Sequence, residues 1–183
     1  AWHCSGEPML LAKARDLADR MLPSFAASPL GIPHRFVNLK TGAVRGPVTN
    51  PAETGTFLPE FGVLSQATGD DRYRAAAKRA LVSMFERRSK IGLLADEIDC
   101  MTGEWKSRRA TVGPPSDSYY EYLWDGWDLL GDHDCLRMYR ACTAAIIKHQ
   151  AVRRGGDLWF VNVDFETGKR LDWKQDELGS FSV

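Results

Sequence analysis

Apolar positions along the chain fall mostly at helical spacing, and glycine and proline cut them into segments of similar length. Leu10, Leu11, Ala14, Leu17, Ala18 and Met21 form one stripe over Pro8 to Leu22, with proline in the first turn; Pro23 is expected to end that helix. Gly31 to Pro51 reads as an ordered loop in which Arg35 to Leu39 is a short strand entering a Lys40-Thr41-Gly42 turn. A second helix is predicted from about Thr54 to Thr68 on Phe57, Phe61, Val63, Leu64 and Ala67, with Pro59 near its beginning. A third, from about Asp71 to Arg88, gathers Tyr73, Ala76, Ala77, Ala80, Leu81, Met84 and Phe85 on one face.

The second half follows the same plan. Leu93 to Thr111 carries Ile98-Asp99-Cys100, Met101 to Glu104 and Trp105, a β-hairpin signal. A helix rich in Tyr and Trp runs to Gly131-Asp132, another spans Cys135 to Ile147, and Arg153 to Asp157 breaks it. Leu158 to Val163 then leads into Phe165-Glu166-Thr167-Gly168, a further hairpin, and a helix start is expected near Asp176.

The breaks recur. Gly6-Glu7, Gly69-Asp70 and Gly131-Asp132 are 63 and 62 residues apart, and Thr41-Gly42, Thr102-Gly103 and Thr167-Gly168 are 61 and 65 apart. Each unit is therefore a helix, a Gly-acid break, a second helix and a Thr-Gly hairpin. The fold predicted is mainly α, stacked αα-hairpins with β-hairpins on one side, each unit needing neighbours to cover its faces.

At 183 residues, 44% hydrophobic and 26% charged, the chain can bury a substantial core as one domain. Its formal net charge of zero gives no basis for a nucleic-acid or acidic-membrane partner, and no apolar run reaches membrane-span length. Cys4, Cys100, Cys135 and Cys142 lack C-x-x-C spacing and the four histidines lack metal-ligand spacing, so neither a zinc site nor a dense disulfide framework is expected.

The chemistry concentrates in Gly113-Pro114-Pro115-Ser116-Asp117-Ser118-Tyr119-Tyr120-Glu121-Tyr122-Leu123. Two prolines and a glycine forbid helix upstream, Ser116 or Asp117 can cap the first free N–H groups, and Ser118 with Glu121 has capping-box spacing. Asp117 lies 14 residues before Gly131, much as Glu53 lies 16 before Gly69, so both acids begin first helices. In a ring of units such carboxylates would converge at one rim as a glycosidase pair. The ordinary alternative is two helix caps.

The run from Asp117 to Leu123, together with Leu22-Pro23-Ser24-Phe25, Gly31-Ile32-Pro33, Val37 to Gly42, Glu60-Phe61, Leu64-Ser65 and Thr68-Gly69-Asp70, resembles glycoside hydrolase family 47 over nearly the whole chain. Ile32-Pro33 and Arg87-Arg88-Ser89 look closest to its bacterial members and its ER-degradation-enhancing mannosidase-like branch. The resemblance implies an (αα)7 barrel and a calcium-dependent, inverting exo-hydrolysis of terminal α-1,2-linked mannose. Asp117 matches a catalytic carboxylate and Glu53 a pocket acid that contacts substrate. The family's calcium-ligating threonine and a further catalytic glutamate are expected beyond Val183, and its proposed general acid before Ala1, so no metal ligand is expected within the chain. By this reading residues 1–183 are a single incomplete catalytic-domain segment of about three αα repeats, inactive without the remainder of the barrel. The implied partner is an α-1,2-linked mannose oligosaccharide and the implied location extracytoplasmic: periplasm, secreted, or the ER and secretory pathway. Processing mannosidases carry arginine two residues before the matching Asp and a histidine late in the covered region; here stand Pro115 and Glu177. Two other readings stay open, a non-catalytic mannose-glycan-binding relative and an αα-repeat interaction scaffold.

Overall fold

Helices hold about half of the chain in the computed structural model, which describes residues 2–175 and 177–181. In chain order the elements are α1 (Trp2–Ser5), α2 (Pro8–Ala26), β1 (Phe36–Val37), β2 (Val44–Arg45), β3 (Val48–Thr49), α3 (Pro51–Gly55), α4 (Phe57–Thr68) and α5 (Arg72–Glu86). Then follow β4 (Ile98–Asp99), β5 (Arg109–Ala110), α6 (Asp117–Asp128), α7 (His133–His149), β6 (Ala151–Arg154), β7 (Asp157–Phe160), β8 (Val163–Asp164) and α8 (Glu177–Phe181). The helix start expected near Asp176 falls on a position outside the described residues, and α8 follows it.

Both repeat landmarks take the same geometry each time. Gly6, Gly69 and Gly131 are left-handed, with φ of 71°, 71° and 67°, and their N–H groups donate to the carbonyls of Trp2, Ser65 and Trp127. That is the αL ending for which glycine carries no Cβ penalty. In the Thr-Gly turns, Asn38, Asp99 and Asp164 each accept through Oδ1 from two N–H groups further on, Lys40 and Thr41, Met101 and Thr102, Glu166 and Thr167. The threonine hydroxyl then accepts from Ala43, Glu104 or Lys169 N–H. These are Asx turns backed by a threonine, and the Asx residue three positions before each threonine is a recurrence that the sequence reading did not use.

Several boundaries differ from the sequence reading. The helix expected over Thr54 to Thr68 is two helices, because Pro59 has no N–H to give Gly55 and Asn50 starts α3 early by accepting from Glu53 N–H at 2.8 Å. Pro23 does not end α2; the helix continues to Ala26, and its last turn seats buried Phe25 against the Phe57 and Phe61 rings, centroids 5.0 and 5.8 Å away. The break expected at Arg153 to Asp157 is the tip of a hairpin, β6 against β7, with Gly155 and Gly156 both at positive φ. Nor do the expected hairpins close on themselves. β4 pairs with β3 of the preceding unit and β8 with β5, leaving single bridges from Ile98 to Trp105 and from Val163 to Arg170. The second and third turns are thus stitched to the loops entering α3 and α6, the first helices that precede them.

The buried layer centres on α5, whose Tyr73, Ala77, Ala80, Leu81 and Met84 are fully covered and which packs against α2, α3 and α4. Tyr119 in α6 spans this layer, donating its hydroxyl to the Leu81 carbonyl at 2.9 Å. Between α5 and α7, the Lys78 ammonium lies 2.6 Å from Asp132 and 3.2 Å from Asp134, both acids in the α7 start. Burial pushes the Asp132 carboxyl up, but Lys78 and the N–H groups of Cys135 and Asp134 outweigh it and hold it below the usual range; Lys78 is raised, its pairing outweighing burial. A depressed carboxylate stabilises above its unfolded value and loses that contribution as pH falls through the folded one, and a raised amine does so as pH rises through its own. Lys78→Met should therefore cost about 1–2 kcal/mol near neutrality. The difference from wild type should shrink below about pH 4. Paired urea melts at pH 7 and pH 3 check this, and an equal cost at both would disprove the charge origin.

Candidate active site

The starts of α3 and α6 touch. Gly55 is buried, and a Cβ there would lie 2.7 Å from Tyr119 Cα and 3.2 Å from the Ser118 carbonyl oxygen, so absence of a side chain permits the approach. Ala52 N–H, in the first turn of α3, donates to the Pro115 carbonyl at 2.9 Å and ties the loop before α6 to the neighbouring helix. Glu53 and Asp117 thus occupy the first turns of adjacent helices at one end of the array.

The two acids differ in their surroundings. Glu53 is half-buried, with Arg35 Nη2 2.9 Å from Oε1 and the Thr49 hydroxyl donating to Oε2 at 3.3 Å. Arg35 comes from the residue before β1 and Thr49 from β3, so the stitched hairpins place both. Asp117 is also half-buried, yet its carboxylate has no hydrogen-bond or ion-pair partner among the described residues. Neither it nor Ser116 caps α6, and the Ser118–Glu121 capping box does not form; the Ser116 hydroxyl is buried without a partner. The cap role expected for Ser116 or Asp117 therefore fails: backbone carbonyls meet N–H groups of the first turn instead, Gly113 accepting from Asp117 at 3.2 Å and Ser116 from Tyr119 at 3.1 Å. What remains is a carboxylate at a positive helix end, where an anion is stabilised and its oxygens stay available.

One pair in this region escaped the sequence reading. Arg109 Nε meets buried Asp96 Oδ2 at 2.5 Å, and Arg109 Nη2 reaches the Pro114 carbonyl at 3.5 Å, bracing the loop before Asp117. Burial lifts the Asp96 carboxyl, against the pull of Arg109. Nothing in periodicity marks either residue. One turn beyond Asp117, Glu121 is raised by burial and by Asp125 and Asp117. Among the described residues no group of three or more His, Cys, Asp or Glu side chains gathers to hold a metal, and no helix is long and apolar enough to cross a membrane.

The model of the family described as Glycosyl hydrolase family 47 matches residues 1–182. The chain belongs to that family. It is 36% identical to Alpha-mannosidase I MNS5 of Arabidopsis thaliana, over 94% of this chain and 29% of that protein. It is 39% identical to ER degradation-enhancing alpha-mannosidase-like protein 2 of Homo sapiens, over 91% of this chain and 28% of that one. Among solved structures it is similar to the alpha-1,2-mannosidase from Trichoderma reesei, with a TM-score of 0.75 at 21% identity, covering 86% of this chain and 35% of the other. The fold is accordingly that of the family's (αα)7 barrel, and the chain spans under a third of the length of these two curated relatives.

Proposed function

We propose that the chain is a segment of an inverting exo-α-1,2-mannosidase, with Asp117 as a catalytic carboxylate and Glu53 as a substrate-binding acid. The observation that carries the reading is the Asp117 carboxylate, half-buried at a helix N-terminus without an internal partner, beside the helix start that bears Glu53. An inverting reaction needs one carboxyl to protonate the leaving oxygen and another to activate water across a gap of roughly 6.5–9.5 Å. Asp117, polarised by the helix end, supplies one such group; Glu53, engaged by Arg35 and Thr49, is suited to accept sugar hydroxyls rather than to move a proton. Family membership supports a glycoside hydrolase, and the names of the relatives support α-1,2-linked mannose oligosaccharides and an extracytoplasmic, secretory-pathway location. The described residues do not form a calcium cradle, so the calcium ion implied by the resemblance would rest on residues outside them.

One feature favours a second reading, a mannose-glycan-binding relative without turnover. Pro115 stands where processing mannosidases place an arginine, and its carbonyl is occupied by Ala52 N–H. The third reading, an αα-repeat scaffold, draws no support from the two acids as helix caps, since Asn50 caps α3 and neither acid caps a helix.

The test compares residues 1–183 with a polypeptide that supplies the rest of the barrel, each given α-1,2-mannobiose with calcium or with a chelator. The expected result is no mannose from the segment and calcium-dependent release from the longer protein. Binding of the disaccharide without release by the longer protein would select the binding reading. Turnover by the segment itself, lost in Asp117→Asn, would show that the second carboxylate lies within these residues.

A further inference from the structure

We propose that the β1–β2 hairpin is an outer subsite beside Glu53 for an anionic sugar, a mannose residue carrying a phosphate ester, with Phe36 as its platform and Arg45 as its anion-binding base. The subsite rests on the mannose-oligosaccharide reading of Glu53 and adds a charge to the substrate. Stepping 61 residues from the first unit to the second carries Phe36 to Glu97, Asn38 to Asp99, Ala43 to Glu104 and Arg45 to Lys106. In the second unit Lys106 is neutralised within its own turn, 3.2 Å from Glu104 and 3.8 Å from Asp99. The first unit keeps the base and lacks all three acids. Arg45 is exposed and, like Lys40, has no ion pair among the described residues; no acidic residue stands anywhere between positions 20 and 52.

A preceding unit leaves these positions open. In the second unit β4 is paired with β3 of the first, and Glu97 and Lys106 are exposed all the same. Phe36, 49% exposed, therefore stands where the repeat presents a side chain to solvent. Two guanidinium groups approach its ring, Arg45 at 5.0 Å from the centroid and Arg35 at 5.9 Å. Arg35 in turn lies 2.9 Å from Glu53, so contacts run from the substrate-binding acid through Arg35 to the ring and on to Arg45. The groove alongside, about 750 Å³, is also lined by Leu17 and Met21 of α2. An aromatic ring beside a few placed polar groups suits the apolar face and hydroxyls of a sugar. The charge selects which sugar. Loss of three carboxylates leaves a positive field that a neutral residue does not use, whereas a guanidinium grips a phosphate through two parallel N–H···O bonds.

The experiment measures binding by calorimetry to the protein with its barrel completed, Asp117→Asn being present to prevent turnover. The two probes are α-1,2-mannotriose and the same trisaccharide carrying a 6-phosphate on its reducing-end residue. The phosphorylated probe should bind about tenfold tighter or more at low salt, an advantage that shrinks as ionic strength rises. Arg45→Gln should abolish that advantage and Arg45→Lys should keep most of it. Equal affinities for the two probes with the hairpin unsubstituted would overturn the subsite and leave the mannose reading standing, whatever the hairpin variants do. An advantage that survives Arg45→Gln would also overturn it, by placing the anion elsewhere. So would inorganic phosphate that displaces the phosphorylated probe at equal concentration, since the bases would then serve a free anion. Failure of both probes to bind, in a protein with an intact thermal melt, would sink the mannose reading and the subsite with it.

Discussion

Asp117→Asn, made in a polypeptide that completes the barrel, should lower kcat for α-1,2-mannose release by about 10²- to 10⁴-fold, the range over which a positioned acid or base contributes. The substitution preserves shape and removes only the titrating group. KM should stay within about threefold, since ground-state contacts fall to Glu53 and its neighbours, and a loss confined to kcat marks an interaction of the transition state. Stability should scarcely change. Asp117 has no partner to lose, so only its interaction with the helix end is at stake, about 0.3–1 kcal/mol. Turnover and a thermal melt on the same preparation decide the matter: near-normal kcat with an unchanged melt would remove Asp117 from the chemistry, whereas a collapsed melt would show that its role is to hold α6.

The repeat made most of the fold legible, because its landmarks are residues whose chemistry is local. A left-handed glycine after a helix and an Asx-Thr-Gly turn are dictated by a few neighbouring atoms, and Gly6, Gly69 and Gly131 behave alike wherever the chain places them. Elements that depend on a distant partner were harder to read. The strand Ile98–Asp99 finds its ladder in Val48–Thr49 of the preceding unit, and the last turn of α2 survives Pro23 because Phe25 has a pocket waiting in α4. Neither fact is written near the residues concerned. The site divides in the same way. Asp117 and Glu53 stood out through their equal place in the repeat, and the structure brings their helix starts together. The expectation that Ser116 or Asp117 would cap α6 fails because the Gly113 and Ser116 carbonyls take the N–H groups of Asp117 and Tyr119, contacts set by the path of the preceding loop. Asp96 with Arg109, 13 residues apart in the chain and on no common face, carried no signal.

Gly55→Ala should damage both the fold and the site, although alanine is the better helix former by about 1 kcal/mol. Gly55 lies in a helix with no positive φ, so the cost is purely one of space. The added carbon would meet Tyr119 Cα at 2.7 Å and Tyr119 N at 3.3 Å, backbone atoms that cannot rotate aside. Overpacking of this kind costs about 1–3 kcal/mol, and relief here requires α3 and α6 to separate. After the gain in propensity, a net loss of up to about 2 kcal/mol is expected, a fall in Tm of roughly 4–8 °C. The separation moves Asp117 relative to Glu53, and a displacement approaching 1 Å costs about 10²-fold in rate. A kcat/KM at least tenfold lower is therefore expected in the completed barrel. Gly126→Ala is the control. Its carbon would press on Leu58 Cδ2 and Cys135 Sγ, 2.6 and 2.8 Å away, in the core below the helix starts, so it should destabilise comparably while leaving kcat nearly intact. Equal losses of activity in the two variants would mean that instability alone accounts for the effect, and a fully active, fully stable Gly55→Ala protein would show that this backbone contact does not set the spacing of the two acids.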